Sequence, residues 1–408
     1  MWKMQINLQI CENCRTFAHR YENPLRMKQI LTIIGARPQI IKAAALSRAI
    51  RTRFAGQLTE KILHTGQHYD ENMSGAFFAE LGIPEPDYNL HVGSGSHGEQ
   101  TAKMISGIEQ VLLSEPFDGV VVYGDTNSTL AAAVAAGKLH VPIYHIEAGL
   151  RSFNMAMPEE QNRIVCDHLS TVLFAPTQTA VDNLTQEGLV PSKRRFKDGG
   201  LQQVVLSGDV MYDNATYFYQ LAKEKQKDEN LIIGGCQLKD KQFVLATIHR
   251  DNNTDDPARL TAIIRSLLTI AKEGMDIVLP LHPRTKKLLP LNLPKALYDE
   301  FVGNEKIHLL PPASFFEILL LEKHAAVVMT DSGGVQKEAF FFATPTVILR
   351  PETEWVEIVK AGAGILADAD EKTILEAYHS LMGKQVAFPP LFGDGKAAEH
   401  IAEYILKQ

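Results

Sequence analysis

Residues 325–350 read AAVVMTDSGGVQKEAFFFATPTVILR. An apolar run leads into a turn with two glycines, then a helix-forming stretch, then a second apolar run. The first run is short, continuous and rich in β-branched residues, which predicts a strand buried on both faces. Strand, helix and strand in this order predict a parallel pair joined by a right-handed crossover. The turn Asp331-Ser332-Gly333-Gly334 therefore falls between the carboxyl end of a strand and the start of a helix. Glycines there permit close backbone approach, and the helix N–H groups face outward, so the turn resembles a cradle for a phosphate. Glu338, further along the helix, is placed to accept hydrogen bonds from ribose hydroxyls. A plain capped helix start is the competing reading of the same residues.

The alternation extends outward in both directions. Downstream lie WVEIVKAG and the closing AAEHIAEYILK; upstream lie FVLATIH, PARLTAIIRSLLTIAKEG, DIVLPLH and KIHLLPP. An earlier series runs from ILTII and QIIKAAALSRAI through KILHTG, GVVVYGD, STLAAAVAAGKL, VPIYHIE, PEEQNRIVCDHL, TVLFAP and TQTAVDNLTQEG. The second series is expected to begin near VVLSGDV. Two series of buried strands with crossover helices predict an α/β protein of two Rossmann-like domains, 27–206 and 207–395. Ligands bind outside the carboxyl ends of such strands, so two sheets facing one another make a cleft. Residues 1–26 show no period, and Met27 looks like a fresh start. They read as an appendage or a start-site artefact.

With 408 residues, 45% hydrophobic and 22% charged, the composition is that of a cytoplasmic globular protein. A net charge of −7 leaves no broad basic surface for nucleic acid. No run is long and apolar enough to span a membrane, and Asn7, Gln9, Glu12 and Asn13 interrupt any leader-like stretch. Cys11 and Cys14 form a single C-x-x-C with no second pair, while Cys166 and Cys236 look like isolated small hydrophobes.

Several chemically capable residues end strands: Arg37, Asp125, Glu147, His249, His282 and Asp331. This is where an α/β enzyme presents its reacting groups. Each has a plainer role when taken alone. Asp125 caps the next helix, Glu147 pairs with Arg151, His249 is a hydrogen-bonded core histidine, and His282-Pro283 ends a strand. The combination is what points to catalysis. Neither G-x-G-x-x-G nor G-x-x-x-x-G-K-[ST] occurs, which disfavours nicotinamide and P-loop chemistry. His64 and His68 stand at H-x-x-x-H spacing but follow a strand and lack the glutamate of a zinc helix, so no metal and no cofactor is expected.

Eight elements in this order, GARPQIIK, HTGQHYD, YGDTNSTLAA, HIEAGLRS, MPEEQNR, HRDNN, LHPRT and TDSGGVQKEA, resemble the non-hydrolysing UDP-N-acetylglucosamine 2-epimerases of bacterial polysaccharide pathways. The resemblance spans nearly all of Met27 to the C-terminus. It implies a two-domain fold of the glycosyltransferase-B and glycogen phosphorylase type, with a last helix, 396–408, crossing back to the first domain. It implies that Arg37 and Lys42 lie near the nucleotide sugar, that Ser332, Gly333 and Gly334 bind phosphate, that Glu338 binds ribose, and that Arg350 is a further basic contact. It also implies proton transfer by Asp125, Glu147 and Glu159, with His249 beside the departing diphosphate. A homodimer is usual in that family.

The chemistry so implied is elimination and re-addition. A base takes the carbon 2 proton while UDP leaves carbon 1, giving a 2-acetamidoglycal. UDP then adds back with protonation from the other face. The breadth of the family favours UDP-N-acetylglucosamine as substrate. GARPQ, LRSFNM-x-MPEE and TEWVE instead resemble a branch acting on UDP-2,3-diacetamido-2,3-dideoxy-glucuronate. A UDP-sugar glycosyltransferase and a non-catalytic nucleotide-sugar sensor are the alternatives of other classes.

Overall fold

The computed structural model describes residues 27–67, 78, 81–197, 199–226 and 231–408. The segment 1–26, with Cys11 and Cys14, lies outside these residues, as does His68. The first sheet contains β1 (Lys28–Ile34), β2 (Leu58–His64), β3 (Tyr88–Asn89), β4 (Gly119–Tyr123), β5 (Ile143–Ile146), β6 (Val172–Ala175) and β7 (Gln203–Leu206). Its strands are all parallel, in the order β3-β2-β1-β4-β5-β6-β7. A small antiparallel pair, β8 (Leu231–Ile233) and β9 (Cys236–Leu238), comes next. The second sheet holds β10 (Phe243–Thr247), β11 (Asp276–Pro280), β12 (Ile307–Leu310), β13 (Val327–Thr330), β14 (Thr346–Ile348) and β15 (Gly364–Leu366). It is also wholly parallel, in the order β12-β11-β10-β13-β14-β15.

Both orders reverse direction once, between β1 and β4 in the first sheet and between β10 and β13 in the second. Loops leaving the two strands at such a point diverge to opposite faces and open a crevice. Arg37 and Asp125 leave the first crevice, and His249 and Asp331 leave the second. The central strands β4 and β10 are buried at every position, as helices on both faces require.

One expectation needs correction. The residues VVL of VVLSGDV end the first series, because β7 pairs with β6 as the edge of the first sheet. Only the helix Val210–Lys225 that follows leads toward the second sheet. Its N-cap Asp209 accepts from the Met211 amide at 2.8 Å, and its buried Phe218 meets Phe315 edge-on at 5.4 Å between ring centres. The closing helix, Ala397–Lys407, returns to the first sheet. Ile401, Ala402 and Ile405 are buried in one cluster with Leu46 and Ile50, and Lys28 Nζ donates to the Ile405 carbonyl at 3.1 Å. The Asp213 carboxylate caps that helix by accepting from the Ala397 and Ala398 amides at 3.1 and 2.8 Å.

The turn after β5 is tightly constrained. Gly149 has φ +79°, and a Cβ there would lie 2.5 Å from the Ala180 carbonyl oxygen. Gly149→Ala should therefore cost about 2–3 kcal/mol of stability through strain and clash. Denaturant unfolding checks this, and a loss under about 0.5 kcal/mol would show that the turn can relax.

Candidate active site

On the first sheet, Asp125 follows β4 and forms an ion pair with Arg163 on the helix Pro158–Leu169. The next helix is capped by Thr126, whose side chain accepts from the Thr129 amide, so Asp125 is not its cap. Arg163 also pairs with Glu160 on its own helix. Asn162 Nδ2 donates to the Asp125 carbonyl at 2.9 Å and to Asn127 Oδ1 at 3.2 Å. These bonds hold the Asp125 loop against the MPEEQNR helix. Glu159, at the start of that helix, is exposed, and its carboxylate has no hydrogen bond or ion pair among the described residues. It lies one turn before Arg163 and so shares its helical face. Glu160 is the structural neighbour: buried, it accepts from the Ser152 and Phe153 amides.

Glu147, after β5, has φ +70°, an uncommon conformation for a residue with a side chain. Such strain costs roughly 1–3 kcal/mol and gathers at functional sites. It does not pair with Arg151, which binds Asp167 at 2.8 Å and Glu187 at 2.6 Å instead. Its two carboxylate oxygens carry one lysine each. Lys42, from the helix Arg37–Arg53, takes Oε2, and Lys337, from the helix Gly333–Phe341, takes Oε1 at 3.1 Å. Burial alone would raise its pKa, but the two lysine charges and their hydrogen bonds lower it to about 2. Behind it, His145 bonds Asp167 through Nδ1 at 2.7 Å and the Gly124 carbonyl through Nε2 at 2.8 Å. Two acceptors at two ring nitrogens suit a doubly protonated imidazole, which pins the loop carrying Asp125.

On the second sheet, Asp331 is fully buried and organises the loop after β10. Its carboxylate accepts from the His249 amide at 3.1 Å, the Arg250 amide at 3.1 Å and Asn253 Nδ2 at 3.1 Å. His249 Nδ1 lies 3.3 Å from Asp331 Oδ1, with the ring still partly exposed. Burial lowers the His249 pKa, and nearby Arg250 and His282 add to this against the raising effect of Asp331. His282 caps the helix Pro283–Asn292, accepting from the Arg284 amide, which is the strand-ending role.

Ser332 is the N-cap of the helix Gly333–Phe341, yet its side chain makes no capping bond. A Cβ built on Gly334 would meet nothing nearer than Ser332 Oγ at 3.9 Å, and one on Gly333 would make only ordinary contacts. The protein itself thus has no steric need for these glycines. Arg350 is buried and pairs with Glu354 at 2.9 Å. Both flank Gly333, with Glu354 Oε2 at 3.4 Å and an Arg350 guanidinium nitrogen at 3.8 Å from that built Cβ. Glu338 is buried on the same helix, and burial raises its carboxyl pKa to about 7 against the nearby Lys337 charge. Arg37 is exposed at the start of its helix. His64 is buried, and its Nδ1 accepts from the Gly66 amide at 3.0 Å.

The two sheets meet through groups that the sequence reading passed over. Lys337 Nζ bonds Asp209 at 2.6 Å as well as Glu147, and it lies 4.3 Å from the Trp355 ring centre. Thr177 donates to Glu357 at 2.6 Å across the same junction. A lysine inside the apolar helix VQKEAFFFA was the available signal, since a buried lysine needs a carboxylate partner.

Comparison with known proteins gives the family and agrees with the fold. The sequence profile described as UDP-N-acetylglucosamine 2-epimerase matches residues 51–406. The chain is 47% identical over 381 residues to the UDP-2,3-diacetamido-2,3-dideoxy-D-glucuronate 2-epimerase of Pseudomonas aeruginosa, covering 93% of this chain and 99% of that protein. It is 40% identical over 375 residues to the UDP-N-acetylglucosamine 2-epimerase of Methanocaldococcus jannaschii, covering 91% and 97%. The crystal structure of that organism's UDP-GlcNAc 2-epimerase with UDP-GlcNAc and UDP superposes with a TM-score of 0.75 at 38% identity, covering 93% of this chain and all of that one. Two parallel sheets of this topology and matches over nearly the full described length make this chain a member of the UDP-N-acetylglucosamine 2-epimerase family, an isomerase of the glycosyltransferase-B fold.

Proposed function

We propose that the protein epimerises UDP-2,3-diacetamido-2,3-dideoxy-glucuronate at carbon 2. The reaction rests on one observation above all: Glu147 meets the helix of the phosphate-type turn through Lys337, one turn beyond Gly333. Elimination needs a proton acceptor at carbon 2 next to the carbon 1 oxygen of a departing diphosphate, and this juxtaposition suits that demand. The choice of sugar rests on the 47% identical relative and on GARPQ, LRSFNM-x-MPEE and TEWVE. UDP-N-acetylglucosamine, giving UDP-N-acetylmannosamine, is the second reading, favoured by the family profile and by the solved complex.

In this reading Asp125, Glu147 and Glu159 exchange protons at carbon 2, and Ser332, Gly333 and Gly334 hold the diphosphate. Glu338 takes the ribose, with Arg37, Lys42 and Arg350 supplying positive charge. His249 sits beside the leaving diphosphate, whose negative charge favours the protonated ring and so a donor to the leaving oxygen. Residues 27–206, with 396–408, and residues 207–395 act as two domains that close over the intermediate. No described helix is long and apolar enough to cross a membrane. The enzyme works in the cytoplasm as a homodimer, supplying a precursor for cell-surface polysaccharide.

Each UDP-sugar, incubated with protein in heavy water and followed by proton NMR, tests this. Deuterium at carbon 2, a manno-configured product and an intact UDP linkage are expected with the diacetamido glucuronate. The same result only with UDP-N-acetylglucosamine would transfer the assignment to that sugar. Absence of exchange with both would refute an epimerase acting on either and favour a transferase or a sensor.

A further inference from the structure

Glu147 holds two lysines of different standing. Lys42 comes from the helix Arg37–Arg53 that follows β1 of the sheet carrying Glu147, and its side chain keeps 14% of its surface exposed. Lys337 comes from the helix Gly333–Phe341 that follows β13 of the other sheet, keeps only 4%, and is anchored a second time by Asp209 at 2.6 Å. Asp209 is itself fixed, because its other oxygen caps the helix Val210–Lys225. A diphosphate arriving at the turn competes for the freer cation, whereas Lys337 is locked between two buried carboxylates and the Trp355 ring.

We propose that Lys337 is a positioning residue: it ties the phosphate-binding helix to Glu147 across the cleft and grips Oε1 while Lys42 leaves Oε2 free to react. This rests on the reading of Glu147 as a proton-transferring group. Closure of the cleft and orientation of the carboxylate then become one event. Gly333 and Lys337 stand one helical turn apart, so a ligand held at the turn and the lysine move on one helix. A lysine serving only to hold the two sheets together would act on stability, without a special dependence on Glu147.

A double-mutant cycle separates these roles. Glu147→Gln, Lys337→Met and the double variant are compared with wild type for kcat and for UDP affinity by calorimetry, at a temperature where circular dichroism shows all four folded. Lys337→Met should lower kcat about 10- to 100-fold with UDP affinity within about threefold, and should add nothing to the loss in Glu147→Gln. Losses that multiply in the double variant, or an unchanged kcat, would overturn the proposal. If Lys337→Met does not fold, Asp209→Asn removes the second anchor and is read by the same cycle. Small-angle scattering with UDP present is the readout independent of turnover: the lysine variant should be more expanded than wild type, and equal dimensions would count against the tie. A wild type that turns over neither sugar speaks against the proposed function, and scattering then judges the tie alone.

Discussion

Asp125→Asn should lower kcat by about 10²–10⁴-fold, the usual contribution of one positioned acid or base, and leave UDP affinity within about threefold. The substitution keeps the shape of the side chain and removes its capacity to take a proton. Asp125 stands at the reversal point of the first sheet, whereas the turn assigned to UDP is in the second, so binding and chemistry should separate. The ion pair with Arg163 is weakened, but Arg163 keeps Glu160. Asp125 is itself 30% exposed, so the stability cost should be only about 1 kcal/mol. A kcat within threefold of wild type would remove Asp125 from the proton path. A loss of UDP affinity matching the loss of kcat/KM would make it a binding group instead.

That separation could be anticipated only in part from the chain. The strands were legible because a strand buried on both faces is written as an unbroken apolar run, as in GVVVY and FVLAT. The residues at their ends were legible for the same reason, since the end of the run marks the mouth of the crevice. The helix His97–Ser114 was passed over, although Ser96 caps it and Gln100, Met104, Ile108 and Leu112 recur every four residues on its buried face. No apolar strand of ordinary length flanks it on its amino side, where β3 has only two residues, and the alternation that guided the reading fails there.

The ionic junction was legible at one end only: a lysine within the apolar run VQKEAFFFA asks for a buried carboxylate partner but does not say which. Lys337 and Glu147 are 190 residues apart, and no local pattern encodes such a contact. On its own Lys337 names no partner. Only the fold places it under the phosphate-type turn and removes water, and only then does it require both Asp209 and Glu147. Asp331 shows the converse. Its position after a strand suggested chemistry, yet burial and accepted amide bonds make it the organiser of the His249 loop.

The glycines of the turn give the sharpest test of ligand against fold. Where the fold demands a glycine, as at Gly149, the left-handed backbone and the nearby carbonyl declare it. Gly334 has neither: its φ is not positive, and the space for a methyl group is open. Alanine also forms helix more readily than glycine by up to about 1 kcal/mol, so Gly334→Ala should leave stability unchanged or slightly raised. A ligand lying on the backbone meets that methyl group directly. Displacing a diphosphate from two helix N–H groups forfeits charge-assisted hydrogen bonds of about 1.5–3 kcal/mol each. UDP affinity should therefore fall by about 10²-fold or more, against an unfolding midpoint that does not drop. Calorimetric titration with UDP beside thermal unfolding measures both quantities on one sample. Retained affinity would place the diphosphate away from Gly334 and leave Arg350, His249 and the Asp331 loop to hold it. Affinity lost together with stability would mean that the glycine serves the helix start rather than the ligand.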